Sequence, residues 1–539
     1  MNKYTLIILS ITGGFFSGLA WTDWCPGLVL LIGFTPFFLI EHHISENRER
    51  YTGNAFFIFL IPGFVVFCLI TLGWIRAVSM VATLTVIITL SFMMSFSLWA
   101  ASVVKMKRGI FAGWLSFAAF WLTFEFIFLS FDLFSPWVNL GNGLAKDIRF
   151  IQWYEITGTS GGTLWIIASN LILTSIITGS LTEKIKRKRL IILWLSILII
   201  PSVASLYRYE TIKPADYRQT EILIVQPNMD PFTQKFTIPF EEQVEKVVSM
   251  AKPEITGETK WLVAPETTVD DPVNESNLQG DKYIRMMKSV VMDNPGLCIV
   301  TGMVTFKSSV ADTDNITSIS DTVQPMQNTD IYNSALLIDT GSRVGIYHKT
   351  KLVAGFETGF FPAAAKLLDR VLPQLGGSSR NYSKDKEIIN FRHPITNDNA
   401  APIICFESVF GKHVAGFVKK GANMLFIITN DGWWKNTNGY KQHLYYASLR
   451  AIETRRPVAR AANTGISCFI DIRGKITATT GWWTSETLRG NIVPEKRITP
   501  YVRYGDYIFY AGVIISLLII VKLFIFNFLR NIFTHSGKS

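Results

Sequence analysis

Three residues whose types together serve acyl chemistry each close a short apolar strand. They are Glu266 in WLVAPE (261–266), Lys349 in RVGIYHK (343–349) and Cys405 in PIICFE (402–407). A thiol attacks a carbonyl as thiolate, so it needs a base and a nearby positive charge. Glu266 fits the base and Lys349 the charge. The tetrahedral intermediate carries an oxyanion, which the Lys349 ammonium and the backbone N–H groups after Cys405 would stabilise. Singly, each residue is ordinary: a solvated strand end, a turn lysine, a core cysteine. What marks them is their shared placement at strand ends, where sites of α/β folds lie.

The elements that must position them fall between 220 and 471. TEILIVQ (220–226), WLVAP (261–265), GLCIVTGM (296–303), YNSALLID (332–339), PIIC (402–405), NMLFIIT (423–429), VARAA (458–462) and ISCFID (466–471) have the apolar character of buried strands. FEEQVEKVVSMAK (240–252), KYIRMMKSVVM (282–292) and NGYKQHLYYASLRAIETRR (438–456) have the spacing of helices with one apolar face. A layered α/β domain is the natural packing. The polar stretches 308–330 and 376–387 read as surface excursions, and the loops 308–330 and 353–362 stand as candidate lids. Asn315-Ile316-Thr317 matches a glycosylation acceptor, a triplet common by chance.

The chain has 539 residues, 49% of them apolar and only 17% charged, which excludes an ordinary soluble protein. The apolar residues concentrate at the two ends. Eight stretches have about bilayer length: 4–23, 25–44, 54–74, 77–104, 110–134, 163–180, 190–207 and 507–528. Six further spans after the first favour an anchor over a cleaved signal. The domains expected are therefore 1–207 in the membrane, 208–506 outside it, and 507–539 as a last span and tail.

Basic clusters fall in every second connection: Arg48 and Arg50; Lys105, Lys107 and Arg108; Lys184, Lys186, Arg187, Lys188 and Arg189. The positive-inside rule then puts both termini in the cytoplasm and 208–506 on the outer side. Ten basic residues in those loops account for most of the net charge of +11 by contact with anionic lipid, so nucleic acid is not an expected partner. Five cysteines imply no disulfide framework, and Cys298 and Cys468 read as small buried hydrophobes. The seven histidines have no metal-ligand spacing, so neither metal nor cofactor is expected.

The segments APET (264–267), YHKTKL (347–352) and ICFES (404–408) resemble the nitrilase-like carbon–nitrogen hydrolases, whose Glu, Lys and Cys come in this order. With spans on both sides, the chain is similar to their integral membrane branch, the apolipoprotein N-acyltransferases. The likeness extends to SPWVNLGN (135–142), IQWYEITGTSGGTLWI (151–166), ILIVQPN (222–228), TNDGWW (429–434) and QHLYYASLRAIETRRPVARAANTGIS (442–467).

The resemblance implies a multi-pass α-helical membrane domain carrying an α-β-β-α sandwich. It implies that Cys405 takes an acyl chain from a phospholipid as a thioester. The acyl group then passes to the α-amino group of a diacylglyceryl-cysteine on an apolipoprotein, in a bacterial inner membrane. One copy suffices for that chemistry, so a monomer is expected. Glu357 matches a residue that orients the lysine and Glu407 one beside the nucleophile, each otherwise a loop-surface charge, and Phe236 is either an aromatic at the substrate entrance or a core residue. Trp433 and Trp434 fit either a membrane-interface contact or a loop anchor. The chain departs from the family at Lys351, where a histidine is common, at AGFE (354–357), and at Phe406, where a tyrosine is common. Rival readings are a membrane-tethered hydrolase, in which water resolves the thioester, and a lipid-binding scaffold without activity.

Overall fold

The computed structural model describes residues 1–131, 136–181, 185–215, 218–308, 329–354, 356–358 and 382–535, with side chains to 523. Residues 309–328 with the acceptor triplet, and half of the candidate lid at 353–362, lie outside the described residues. Two compact units emerge: Met1–Tyr207 with Asp506–Ser539, and Arg208–Gly505.

Among the described residues of the first unit, six helices are long and apolar enough to cross a bilayer: Gly27–Glu46, Ala55–Ala77, Met80–Arg108, Ile110–Ser130, Thr159–Thr178 and Arg187–Thr211. Of the two outermost of the eight expected spans, the first is a shorter apolar helix, Lys3–Leu19, and the last lies within the helix Tyr507–His535. Helix pairing in an apolar solvent relies on close backbone approach. A Cβ at Gly14 would collide with the Gly63 carbonyl, so Lys3–Leu19 can lie this near Ala55–Leu72 only with glycine there. One buried acid of this unit, Glu125, is held by three donors. It accepts hydrogen bonds from Trp121 Nε1 (3.0 Å), Leu140 N (2.7 Å) and Thr163 Oγ1 (2.8 Å).

The second unit is built on two sheets. The first contains β1 (Thr220–Gln226), β2 (Thr259–Val263), β3 (Val269–Asn274), β4 (Cys298–Ser308), β5 (Thr329–Ile338), β6 (Gly345–His348) and β13 (Glu486–Ile492), in the order β13-β1-β2-β4-β5-β6 with β3 beside β4. The second contains β7 (Phe391–Arg392), β8 (Asn399–Ile404), β9 (Met424–Thr429), β10 (Val458–Ala462), β11 (Cys468–Ile470) and β12 (Ile476–Thr479) in simple sequence, β12 to β7.

The apolar runs are continuous because both faces of each strand are covered. Ile222, Ile224, Trp261, Val263 and Val300 join Ile403, Ile427 and Ala459 of the other sheet in one core. Their alternates Leu223, Val225, Leu262 and Ile299 pack instead on the helices Phe240–Ala251 and Lys282–Asp293. The second sheet is covered by Gly411–Lys419, through Val414 and Phe417, and by Asn438–Thr454, through Leu444, Ala447 and Ala451. The architecture is thus the α-β-β-α sandwich that the resemblance implies.

Topology brings the chemistry together. β1, β2 and β4 run parallel, and β6, antiparallel to β5, which is antiparallel to β4, returns to their direction. The C-terminal ends of β2 and β6 therefore share one edge of their sheet. In the facing sheet β8, β9 and β10 are parallel and likewise end together.

Candidate active site

Glu266 stands beyond the end of β2 at Val263, and Lys349 and Cys405 immediately follow β6 and β8. All three are buried, at 7%, 1% and 8% exposure. The sequence places each at the close of its strand; the structure puts them one to three residues past the sheet, where side chains can leave the alternating pattern.

Gly302 sets the position of Glu266. Its N–H donates to Pro265 O (2.9 Å) and its carbonyl accepts from Thr268 N (2.8 Å), so the 265–268 loop lies against β4. A Cβ at 302 would come within 2.5 Å of Thr267 N and 2.6 Å of Glu266 Cα. The loop turns through Thr267 at φ 45°. Cys405 is likewise left-handed, at φ 48°, and opens a tight 3₁₀ turn, Cys405–Val409. Such backbone costs about 1–3 kcal/mol at a non-glycine residue and persists where surrounding contacts enforce it.

Lys349 bridges two carboxylates: its ammonium donates to Glu266 Oε1 (2.9 Å) and Glu357 Oε1 (2.8 Å). Asn333 Nδ2 donates to the same two oxygens, at 2.9 and 3.1 Å, and the Asn333 carbonyl accepts from Lys349 N (2.8 Å). Glu357 is fixed in turn by Val353 N (2.8 Å). The second oxygen of Glu266 accepts from Asn430 N (3.2 Å), at the end of β9, which ties the two sheets together at the site.

Charge follows from this geometry. Burial disfavours the Glu266 carboxylate, but Lys349, Asn333 and the more distant Lys235 outweigh it and hold the group below the usual carboxylate range. Burial also works against the Lys349 ammonium, yet Glu266 and Glu357 raise it well above an ordinary lysine. Burial and then the Glu266 charge push the Cys405 thiol well up, against a smaller opposing pull from Lys349. At rest the site holds a thiol, a carboxylate and an ammonium.

Glu407 lies on the far side of the thiol's turn and caps it. Its Oε2 accepts from Ile404 N (2.9 Å), and its Oε1 from Tyr347 O–H (2.7 Å), Thr350 N (2.7 Å) and Thr350 Oγ1 (3.0 Å). It thus fastens the Cys405 turn to the Lys349 loop. Lys351 rests 5.3 Å from the Phe410 ring centre, and Phe406 packs edge-on against the same ring at 5.1 Å. Phe236 and Phe232 flank Trp433 at 6.5 and 5.4 Å, with both phenylalanines exposed, while Trp434 meets the His443 ring edge-on at 5.2 Å. Trp433 therefore joins an aromatic cluster with Phe236, and Trp434 packs on His443.

Two groups were not legible as site residues. Lys235, buried, donates to Thr267 Oγ1 beside Glu266. Beneath Cys405, His443 Nε2 lies 3.1 Å from Cys405 O and 2.9 Å from Ser408 Oγ, which itself donates to that carbonyl (2.7 Å). A carbonyl only accepts, so Nε2 is the donor in that contact. Asp431 lies 3.1 Å from His443 Nδ1 and accepts from Arg460 (2.6 Å) and Thr429 (2.8 Å). Burial opposes the Asp431 charge, but Arg460 and His443 hold its carboxyl far below the usual range. The signal available in sequence was the polar run TND directly after an apolar strand. Among the described residues, no group of His, Cys, Asp and Glu could hold a metal ion.

Residues 298–498 match the Carbon-nitrogen hydrolase family, and residues 13–172 match the Apolipoprotein N-acyltransferase N-terminal domain. Similar curated proteins are named apolipoprotein N-acyltransferase. That of Chlorobaculum tepidum is 26% identical, covering 86% of each chain; that of Geobacter metallireducens is 26% identical over 94% of this chain and 91% of its own. That of Thermotoga maritima is 25% identical over 96% and 93%. Similar solved structures include Saccharomyces cerevisiae Nit3, 14% identical, covering 53% of this chain and 92% of its own, at a TM-score of 0.35. An amidase of Nesterenkonia AN1 is 14% identical, covering 54% and 96%, at a TM-score of 0.36. With membrane helices, the sandwich domain and relatives matching along most of its length, the chain belongs to the apolipoprotein N-acyltransferase family.

Proposed function

We propose that this protein transfers an acyl chain from a phospholipid to the α-amino group of an N-terminal diacylglyceryl-cysteine on a lipoprotein, with Cys405 as nucleophile. The observation that carries this reading is a buried Glu266–Lys349–Glu357 ion cluster beside a thiol, in a chain that also supplies six apolar membrane helices. Both substrates are lipids, which gives the helices a purpose that a soluble hydrolase lacks.

The thiol is held neutral at rest, so general-base removal of its proton accompanies attack. Glu266 takes the proton from Sγ as the sulfur adds to the ester carbonyl. The oxyanion forms against the Lys349 ammonium and the backbone N–H groups that open the Cys405 turn. Collapse breaks the ester C–O bond; the departing lysophospholipid alkoxide takes the proton from Glu266, and the acyl group remains on sulfur. The lipoprotein amine then adds to the thioester and gives its proton to Glu266. Expulsion of the thiolate, which recovers that proton, completes a ping-pong cycle. Glu357 and Asn333 orient Lys349, Glu407 fixes the nucleophile's turn, and the Phe232–Phe236–Trp433 cluster offers apolar surface to an acyl chain. In the proposed orientation the catalytic domain faces the periplasm of a bacterial inner membrane, with both termini cytoplasmic and the protein acting as a monomer.

The test is intact-mass analysis of purified protein incubated with phospholipid, beside a Cys405→Ala variant. The expected result is an acyl-sized gain on the parent alone, discharged by a diacylglyceryl peptide. Discharge by water alone, or no adduct with any phospholipid, overturns the reading.

A further inference from the structure

The opposite ends of the second sheet hold a different arrangement. Asn399 begins β8, Asn423 precedes β9 and Arg456 precedes β10, about 20 Å along β8 from Cys405 at ~3.3 Å per residue. These residues line a cleft of about 380 Å³, together with Arg392, Asn397 and Lys496.

Arg456 is only 1% exposed, and its protein partners are all neutral. Nε donates to Ala422 O (2.8 Å), and Nη1 to Thr454 O (3.0 Å), Arg455 O (3.4 Å) and Arg497 O (2.6 Å). Nη2 donates to no described protein atom and is not sealed from the cleft. A buried guanidinium is normally matched by a carboxylate. Among the described residues, neither Arg456 nor Arg392 nor Lys496 forms an ion pair. The nearest acids are committed elsewhere. Asp398 accepts from Arg218, Thr220 and Thr396, and Glu495 from Arg497 and the Ala215 N–H. Burial, only partly offset by Glu495, lowers the Arg456 guanidinium to about 10, so it remains a cation at neutral pH.

We propose that this cleft is a binding site for a phosphate group, with Arg456 Nη2 as its fixed donor, Arg392 and Lys496 as flanking cations, and the asparagine amides as neutral ligands. Arginine's planar donors suit phosphate oxygens. The phosphate could belong to a phospholipid or be free. Chain connectivity favours the lipid: Lys496 and Ile498 lie in the segment leading to the apolar helix from Tyr507, and Arg497 donates to Lys213 O, just after the helix ending at Thr211. The site is separate from Cys405 and does not depend on the proposed reaction.

The experiment is thermal unfolding of the full-length protein in neutral detergent, titrated with inorganic phosphate, with dihexanoyl phosphatidylglycerol, and with chloride at matched ionic strength. The variants are Arg392→Ala/Lys496→Ala, both exposed positions, and Arg456→Lys. The expected result is saturable stabilisation of the parent by phosphate or lipid but not chloride. The midpoint should rise about tenfold or more in each variant, the loss of one charge-assisted hydrogen bond. Tighter binding of the lipid assigns the site to a headgroup; equal or tighter binding of phosphate assigns it to a soluble anion. Stabilisation by chloride alone, or unchanged midpoints in the variants, overturns the proposal.

Discussion

Replacing Lys349 by methionine keeps most of the side chain's volume and removes one buried positive charge. Its ammonium lies 2.9 Å from Glu266 and 2.8 Å from Glu357, with side-chain exposures of 1%, 8% and 14% for the three residues. Two carboxylates are then left buried without their cation, for which about 3–5 kcal/mol of lost stability is the usual cost. At roughly 2–3 °C per kcal/mol for a unit of this size, the Lys349→Met protein should unfold about 10 °C below the parent at pH 8. The pH dependence is the sharper test. In the parent, Glu266 is held below its unfolded value, so its contribution is fully present above about pH 4.3 and is lost only as pH falls through the lower, folded pKa. In Lys349→Met, burial without a cation raises the folded pKa above the unfolded one. The variant should therefore regain stability as pH falls from 8 towards 5, while the parent stays flat. Adding Glu357→Gln should restore part of the loss at pH 8. Thermal unfolding in detergent, followed by tryptophan fluorescence, reads all three. A Lys349→Met transition within about 2 °C of the parent, flat with pH, would refute the buried cluster.

Gly302→Ala should force the Glu266 loop away from β4. Acyl-enzyme formation, followed by mass, should slow by roughly a hundredfold, for about 1–3 kcal/mol of stability; an unchanged rate would mean that the loop does not set the base. Cys405 should react slowly with iodoacetamide at pH 7 to 8, because burial and the Glu266 charge hold its thiol above the usual range. Glu266→Gln removes that charge while Lys349 stays, so the pH profile of alkylation should move down. A parent thiol that titrates in the ordinary range would contradict this account.

The apolar strands of the sandwich were readable because burial on both faces leaves a local mark. TEILIVQ and VARAA occupy β1 and β10 to the residue, and Phe240–Ala251 and Lys282–Asp293 follow their amphipathic spacing. β3 was not readable: VDDPVN is polar in composition yet fully buried, and its Asp271 is matched by the Tyr283 hydroxyl at 2.9 Å. β13 was missed for the opposite reason, since ETLRGNI is half exposed and pairs along the edge of β1.

Glu266, Lys349 and Cys405 are each ordinary singly, and their residue types together with their placement at strand ends made them legible as candidates. What put them together is the parallel return of β6 to the direction of β2, and the facing of that edge to the ends of β8 and β9. Only that arrangement brings Asn333 under both glutamates, and Asp431, His443 and Arg460 under the nucleophile's carbonyl. Periodicity records whether a residue faces a core or water, which is a local property. Which polar groups meet across two sheets depends on strand order and register, and the cluster's charge states follow from that meeting.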